Sequence, residues 1–255
     1  MYKIPANTLF IGQHLVFVPE CHSTNLELQR LMQQKGSAEG LVVITNNQTA
    51  GRGQRGNTWF SEPDKNLTFS IGLKPHFLDP KRQFFLSMAV SLGLLDGLTS
   101  LLPKAEVKIK WPNDMMLNGK KTCGILIENQ LMGQLLDRAV VGIGLNVNQI
   151  SFSISTATSL AVEARYAFDL NDLFSLLLEK LEARYLNVKA GEFEKVKYDY
   201  EQNLYWRDEV HDFIMNEQHV SGIIEGVSEE GKLEVLINGV QKQFAFKEIR
   251  YGYTT

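Results

Sequence analysis

A stretch rich in glycine and arginine, residues 48–59 (QTAGRGQRGNTW), carries the residue types best suited to hold an anion. Its three glycines allow positive φ angles and let the backbone approach a ligand closely. Its two arginines, Arg52 and Arg55, offer paired N–H donors that match a phosphate or a carboxylate. The apolar, β-branched run before it, residues 41–45, predicts a buried strand. We therefore expect an anion-binding loop at the end of a strand.

The same loop permits two plainer interpretations. GRGQRG matches the G-x-G-x-x-G pattern of dinucleotide-binding folds, which needs a helix directly after the glycines and an acidic residue about 20 positions later. Pro63 interrupts the sequence that follows, and residues 67–73 alternate like a strand, so we reject a dinucleotide fold. An ordinary surface loop is the second alternative, since glycine-rich loops are common.

A second block, KWPND at residues 110–114, combines a cation, an indole and a polar pair. Asp114 could bind Mg²⁺ or hold an arginine, although Asn-Asp after proline is also favourable turn chemistry. Lys121 follows the Asn-Gly pair at 118–119, which is the strongest hairpin signal in the chain. This lysine either points at a ligand carboxylate or phosphate, or is an exposed hairpin lysine.

Together these groups suit the joining of a carboxylate to the α-phosphate of a nucleotide. Such a reaction depends mainly on positioning and on neutralising the charge of the phosphoryl oxygens. Trp59 would offer an aromatic face to a purine. Ser23 and Thr24, before a predicted helix at 25–36, either cap that helix or present hydroxyls to a small polar ring, and the two roles are compatible.

Composition restricts the class of protein. The chain has 255 residues, is 44% hydrophobic and 22% charged, and carries a formal net charge of −3, as is usual for a soluble globular protein. It shows no concentrated basic region, so we expect no DNA binding. Cys21 and Cys123 lack metal-ligand spacing and indicate reduced thiols. No signal sequence or membrane span is recognisable, which predicts a cytoplasmic protein.

The hydrophobic patterns predict an α+β protein. Strands are expected at 15–20, 41–45, 67–73 and 135–148 and in hairpins between 107 and 129, with a long buried helix at 84–102 and further helices within 156–188 and 191–206. From about residue 207 short alternating strands follow. We predict a catalytic domain over residues 1–204, a mixed sheet with helices covering one side, and an all-β domain over 205–255.

Four motifs in this order and spacing resemble those of the biotin protein ligases (biotin–[acetyl-CoA-carboxylase] ligases): GRGQRG-x-x-W, KWPND, K-x-x-G-I-L-I-E and GIGLNVN. The resemblance covers nearly the whole chain. It implies a catalytic domain like that of class II aminoacyl-tRNA synthetases and an SH3-like C-terminal barrel. It also implies a two-step reaction, in which biotin and MgATP form biotinyl-5′-AMP and the biotinyl group passes to a lysine of a biotin carboxyl carrier domain.

The resemblance also assigns roles to individual residues. Arg52, Lys121 and Asp114 are the expected catalytic residues, with Asp114 also the candidate ligand for Mg²⁺. Biotin is expected near Ser23, Thr24, Asn25 and Gln48, and the adenine beside Trp59, with Asn146 near the nucleotide. The full set expected to bind biotin or the adenylate is Ser23, Thr24, Asn25, Gln48, Gly51, Arg52, Gly53, Gln54, Arg55, Trp59, Asn113, Lys121, Gly124 and Asn146.

The chain departs from the bifunctional, repressor-type members in two ways. They often carry arginine where this chain has Gln54, a position linked to retention of the adenylate. They also carry an N-terminal winged helix-turn-helix, whereas this chain reaches its HSTN motif by residue 22, so we expect a ligase without repressor activity. Family members also self-associate edge to edge, and a homodimer would use strands near 135–147.

Two alternatives stay open beside the biotin ligase. A lipoate– or octanoate–protein ligase would share the main fold and transfer an acyl group to a lysine. A non-catalytic module that only binds biotin would need neither Arg52 nor Lys121, since these residues serve a phosphate.

Overall fold

The computed structural model describes residues 2–4 and 7–252, with Arg55 described in its backbone only. It contains a seven-stranded mixed sheet, five α-helices and a five-stranded antiparallel sheet in the C-terminal part. This arrangement confirms the predicted α+β class. The division of the chain at residue 204 stays a prediction, as does the SH3-like character of the C-terminal part.

The seven-stranded sheet is built from β1 (Leu15–Cys21), β2 (Val42–Gln48), β3 (Leu67–Leu73), β4 (Val107–Lys110), β5 (Asp114–Leu117), β6 (Lys120–Met132) and β7 (Leu135–Leu145). The strand order is β1-β2-β3-β7-β6-β5-β4, in which only β1 and β2 pair in parallel. The helices are α1 (Thr24–Met32), α2 (Phe84–Leu101), α3 (Leu160–Ala164), α4 (Leu170–Lys189) and α5 (Phe193–Gln202).

The second sheet is built from β8 (Val210–Met215), β9 (Gln218–Val227), β10 (Leu233–Ile237), β11 (Val240–Phe244) and β12 (Arg250–Tyr251), in the order β11-β10-β9-β8-β12. The short strand β12 was not predicted, because two residues give no periodic signal. It pairs with β8. The remaining C-terminal strands fall on the predicted segments, and burial alternates most clearly along β10.

The predicted elements of the main sheet are confirmed with small shifts at their ends. The Asn-Gly hairpin forms between β5 and β6, and both turn residues have positive φ (Asn118 48°, Gly119 78°). Strand β2 runs three residues beyond the predicted segment 41–45, to Gln48. Its polar end stays extended because it pairs with β1, where Cys21 lies opposite Gln48.

The helices cover both faces of the sheet, which corrects the expectation of one covered side. Val42 and Ile44 of β2 share the large core with α2 and α4. Val43 between them points the other way and packs against Leu28 and Met32 of α1. Residues 42–44 are apolar on both faces of β2, which is the pattern of a strand covered on each side, so the sequence held a signal for the second layer that the prediction of one covered side did not use.

The expected dimer edge is paired over most of its length. Strand β7 (Leu135–Leu145) pairs with β3 on one side and with β6 on the other. The edges of this sheet are β1 and β4. Strand β3 pairs only with Ala139–Leu145, whereas Leu135–Arg138 pair with β6 alone, so the predicted edge is unpaired only at its start and a homodimer stays a prediction.

The segment Pro80–Leu101, which contains α2, is long and apolar enough to cross a membrane by length and composition alone. In this fold 67% of its most apolar 18-residue stretch is buried inside the protein. Helix α2 packs against α4, where a Cβ added to Gly93 would lie 2.8 Å from the Cα of Leu181. The helix therefore has the environment of a core helix.

Two glycines of α2 provide a matched test of this packing. Gly93→Ala should lower the free energy of unfolding by about 1–3 kcal/mol, because the added Cβ meets the backbone of Leu181. Gly97→Ala should be close to neutral, since its Cβ meets the end of the flexible Leu177 side chain and alanine favours a helix by about 1 kcal/mol. Chemical denaturation of both variants measures the difference, and equal losses of stability would contradict the close packing of α2 on α4.

Candidate active site

A cavity of about 420 Å³ lies where the α1 face of the main sheet meets the segment 246–251 of the C-terminal part. Its wall includes the N-terminus of α1, the glycine-rich loop, the KWPND turn and the middle of β6 and β7. A volume of this size is typical of a small-molecule site. It gathers most of the residues that the sequence singled out.

One end of the cavity is polar and formed by the start of α1. Ser23, Thr24 and Asn25 are buried, with 4%, 3% and 3% exposure. Ser23 occupies the N-cap position, yet its side chain makes no capping hydrogen bond, so its hydroxyl is available to the cavity. Parallel pairing of β1 with β2 brings Gln48 alongside, and its Oε1 accepts the backbone N–H of Thr24 at 2.9 Å. Four residues predicted to bind biotin thus lie together.

Ser70 of β3 completes this polar end and was not predicted. Its hydroxyl lies 2.7 Å from Oγ1 of Thr24 and 2.6 Å from Oδ1 of Asn25, and the residue is fully buried. A serine in the middle of the apolar strand LTFSIGL was the available signal, because a buried hydroxyl needs a polar partner.

Trp59 lies over a floor made by two glycines. Gly124 of β6 and Gly144 of β7 are opposite each other in the strand register. A Cβ at Gly144 would be 2.4 Å from Nε1 of the indole, and one at Gly124 would be 3.0 Å from its Cζ3. Gly142 gives Asn25 the same close approach, since its Cβ would be 2.3 Å from Oδ1. The spacing of Gly142 and Gly144 by two residues, on one face of β7, was a signal for this floor.

The glycine-rich loop closes on itself where it forms part of the cavity wall. Arg52 pairs with Thr58, and the N–H of Trp59 donates to the carbonyl of Gly51 at 3.0 Å. A single 3₁₀ turn, Gln54–Gly56, lies at the tip of the loop. Within the described range no α-helix follows the glycines directly, which agrees with the rejection of a dinucleotide fold. Gly51 is required for this closure, because a Cβ there would be 2.2 Å from the carbonyl oxygen of Trp59.

Positive charge dominates the cavity wall. Five lining residues are cationic and one is acidic, Asp114; the cations are Arg52, Lys110, Lys121, Lys247 and Arg250. The ammonium of Lys121 forms an ion pair with Oδ1 of Asp114 at 2.7 Å and lies 5.7 Å from the Trp59 ring centroid. This arrangement fits a ligand with several negative charges.

Lys110 joins the KWPND turn to the C-terminal part. Its ammonium lies 4.7 Å from the ring centroid of Tyr251. Burial lowers the pKa of Lys110 below the usual lysine value, Asp114 opposes that shift and Lys121 adds to it. A cation held partly out of water binds an anion more strongly than an exposed one.

Two lining polar atoms lack a hydrogen-bond partner among the residues described here. Nε1 of Trp59 and Oε1 of Gln54 are both buried. Leaving such groups unpaired costs free energy, so a ligand with polar groups would gain by meeting them.

Asp114 offers one carboxylate to a metal ion. Within residues 2–4 and 7–252 the structure holds no cluster of three His, Cys, Asp or Glu residues suited to a metal. Mg²⁺ commonly takes one or two protein carboxylates and completes its shell with phosphates and water. The donor set therefore fits a magnesium ion that arrives with a nucleotide and does not fit a resident metal.

Three predicted site residues do not contribute a side chain to the wall that the structure describes. Gly51 is buried beneath the carbonyl of Trp59, and the side chain of Arg55 lies outside the described residues. Asn146 donates from Nδ2 to the carbonyl of Thr158 at 3.0 Å and so anchors the end of β7 away from the cavity. Asn113 lines the cavity, but its Nδ2 donates to the carbonyl of Ile125 at 2.6 Å.

Sequence reasoning left the role of the C-terminal part open and named none of its residues as part of the site. Phe246, Lys247, Ile249, Arg250 and Tyr251 all line the cavity. Nothing in the sequence indicated it, because these residues are more than 100 positions from the loop and the turn that they face.

Comparisons with known proteins agree with this geometry. The sequence profile of the Biotin/lipoate A/B protein ligase family matches residues 18–146. A biotin--[acetyl-CoA-carboxylase] ligase of Mycobacterium tuberculosis is 32% identical over 231 residues, which cover 89% of this chain and 85% of the relative. The chain belongs to the biotin protein ligase family. It is therefore a member of a family of enzymes.

Two further similarities place this biotin protein ligase among its relatives. The bifunctional ligase/repressor BirA of Bacillus subtilis is 30% identical over 195 residues, which are 74% of this chain and 59% of that protein. A structure of biotin protein ligase from Aquifex aeolicus in complex with biotin and ATP has 26% identity and a TM-score of 0.76, and covers 94% of this chain and 100% of that one.

The glycine floor beneath Trp59 can be tested by fluorescence. Gly144→Ala should push the indole toward solvent and shift its emission to longer wavelength, since the new Cβ overlaps the ring. The same substitution in a Trp59→Phe background is the control and should leave the emission of Trp111 and Trp206 unchanged. An unshifted spectrum for Gly144→Ala would show that Trp59 does not rest on this floor.

Proposed function

We propose that this biotin ligase forms biotinyl-5′-AMP from biotin and ATP in the cavity and transfers the biotinyl group to a lysine of a biotin carboxyl carrier domain. The observation that carries the proposal is the placement of a buried polar pocket directly beside an excess of positive charge. The first suits the neutral ring of biotin, and the second suits its carboxylate together with a triphosphate.

The ring of biotin matches the polar end of the cavity. Its ureido group has two N–H donors and one carbonyl acceptor, and Ser23, Thr24 and Gln48 offer hydroxyl and amide groups of both kinds. Its valeryl chain would then run toward Lys121 past the indole of Trp59, which itself lies on the glycine floor.

In the first step a carboxylate oxygen of biotin attacks the α-phosphorus of ATP. The bond from that phosphorus to the bridging oxygen breaks, and pyrophosphate leaves with the electron pair. The carboxylate is already ionised at neutral pH, so the protein needs no general base here. Arg52 and Lys121 would bring the two anions together and neutralise the charge on the phosphoryl oxygens.

Mg²⁺ supplies further neutralisation of the phosphates when it is bound with ATP, and Asp114 is the carboxylate available to hold it. Asp114 also holds Lys121 in place through the ion pair at 2.7 Å. Lys247 and Arg250 extend the positive wall from the C-terminal part, where they would meet the outer phosphates.

In the second step the neutral amine of an acceptor lysine attacks the acyl carbon of the adenylate. The bond from that carbon to the phosphate oxygen breaks, AMP leaves with the electron pair, and the proton lost from the amine passes to water. Phosphate is a good leaving group, so positioning supplies most of the catalysis. The acceptor lysine would enter through the open side of the same cavity.

The buried hydrogen-bonding groups favour biotin over lipoate or octanoate. The dithiolane ring of lipoate and the alkyl end of octanoate offer no hydrogen bond to Ser23 or Gln48, so binding them would remove these polar groups from water without compensation. A non-catalytic biotin-binding module is disfavoured by the cations, which a bound biotin ring does not need.

Exchange of labelled pyrophosphate into ATP tests the proposal on the purified protein with Mg²⁺. Exchange should require biotin and should not occur with lipoate or octanoate, because only biotin satisfies the polar pocket. Exchange with lipoate would support the alternative ligase. Biotin binding without exchange would support the non-catalytic module.

Lys121 and its neighbour Lys120 form a matched pair for the catalytic role. Lys121→Ala should reduce the biotin-dependent exchange rate by about 10²–10³-fold while biotin still binds, because a preorganised cation at the reacting oxygens is lost. Lys120 is exposed on the same strand, and Lys120→Ala should exchange at the unaltered rate. Equal rates in the two variants would exclude Lys121 from catalysis.

A further inference from the structure

The carboxylate of Glu128 on β6 is shared between the polar pocket and the glycine-rich loop. Its Oε2 accepts the side-chain amide Nδ2 of Asn25 at 2.7 Å, and its Oε1 accepts the guanidinium Nη2 of Arg52 at 2.7 Å. Glu128 does not line the cavity described above. Its two partners, Asn25 and Arg52, do line the cavity, so Glu128 is connected to it through them.

Glu128 determines which way the amide of Asn25 faces. An ionised carboxylate can only accept hydrogen bonds, so the nitrogen of Asn25 must face it. That nitrogen also lies 3.3 Å from the carbonyl of Leu126, a second acceptor. The amide oxygen of Asn25 consequently points to the hydroxyl of Ser70 at 2.6 Å.

The orientation of Asn25 then sets the hydroxyls beside it. An amide oxygen only accepts, so Ser70 donates its single proton to Asn25. Ser70 can therefore not donate to Thr24, although the two oxygens are 2.7 Å apart. The hydroxyl of Thr24 can donate its proton either to Ser70 or to Oε1 of Gln48, which lies 3.3 Å from Oγ1 of Thr24. The hydrogen bonds are thus fixed in turn as far as Ser70, and Thr24 is left as a donor with two acceptors, Ser70 and Gln48.

Because these groups are buried, they must keep this arrangement of donors and acceptors. Ser70 is fully buried and Asn25 is 3% exposed, so water cannot replace a missing partner. An Asn25 amide turned the other way would place its nitrogen against Ser70 and its oxygen against the carboxylate, with repulsion between the two acceptors.

We propose that Glu128 is a positioning residue of this enzyme: through Asn25, Ser70 and Thr24 it fixes the donors and acceptors that the pocket presents to the ring of biotin. The proposal rests on the function proposed above. Arg52 occupies the second oxygen and holds the carboxylate in place from the side of the loop. The ring-binding end of the site and the anion-binding loop are thereby joined through one side chain.

Glu128→Gln tests this role because it keeps the size of the side chain but leaves one acceptor oxygen for two donors. Isothermal titration should show the Kd for biotin raised about tenfold. In an Asn25→Ala background the same change should alter that Kd by no more than a factor of about two, since Glu128 acts through Asn25. If Glu128→Gln only disturbed the fold, its effect on the Kd would add to the effect of Asn25→Ala.

Glu179→Gln is the matched control. Like Glu128, Glu179 on α4 accepts hydrogen bonds from an asparagine and a cation, here Asn7 and Lys180. It does not line the cavity. Its substitution should leave the Kd for biotin unchanged. Thermal unfolding of each variant checks the fold. If Glu128→Gln does not fold, Ser70→Ala replaces it, alone and in the Asn25→Ala background.

The outcomes separate the two proposals. An unchanged Kd in Glu128→Gln, or penalties that add in the double variant, would overturn the positioning role while the proposed function stands. If the unaltered protein binds no biotin, the proposed function and the positioning role both fail.

Discussion

The ion pair between Lys121 and Asp114 is the interaction on which the rest of the site depends. It spans the β5–β6 hairpin at 2.7 Å and is made possible by the Asn118-Gly119 turn, whose two positive φ angles suit a tight hairpin. The carboxylate partly offsets the repulsion among the five cations of the wall, so a strongly positive cavity can persist without its ligand. The same pair holds the Lys121 ammonium where a carboxylate and a phosphate would meet.

Close approach of the backbone is the second constraint. Gly124, Gly142 and Gly144 leave the surface of β6 and β7 without side chains beneath Trp59 and Asn25. A flat sheet surface of this kind lets the indole of Trp59 and the amide of Asn25 lie close to the main chain. The sheet supplies rigidity, and the loop at residues 48–59 supplies the groups that contact an anion. The site lies at this place in the fold because the rigid surface of β6 and β7 and the loop at residues 48–59 meet there.

Much of this was predictable from the sequence, and the rest was not for identifiable reasons. Turn chemistry at 118–119 and the apolar run at 67–73 predicted their elements, because local propensity and burial agree there. The polar pocket followed from motif residues near Ser23 and Gln48. Glu128 ends the K-x-x-G-I-L-I-E motif but was given no role, and Ser70 and the residues at 246–251 were missed, because strand register and long-range contact bring them to the site. Asn146 was placed near the nucleotide, yet its side chain anchors β7 to Thr158.

Native mass spectrometry tests the central claim, that the cavity joins a carboxylate to the α-phosphate of a nucleotide, most directly. The protein would be incubated with biotin and MgATP, freed of unbound ligand, and weighed with its bound ligand intact. The account predicts one bound species with the mass of biotinyl-5′-AMP. Bound biotin and bound ATP with unchanged masses, and no adenylate at any time, would contradict it.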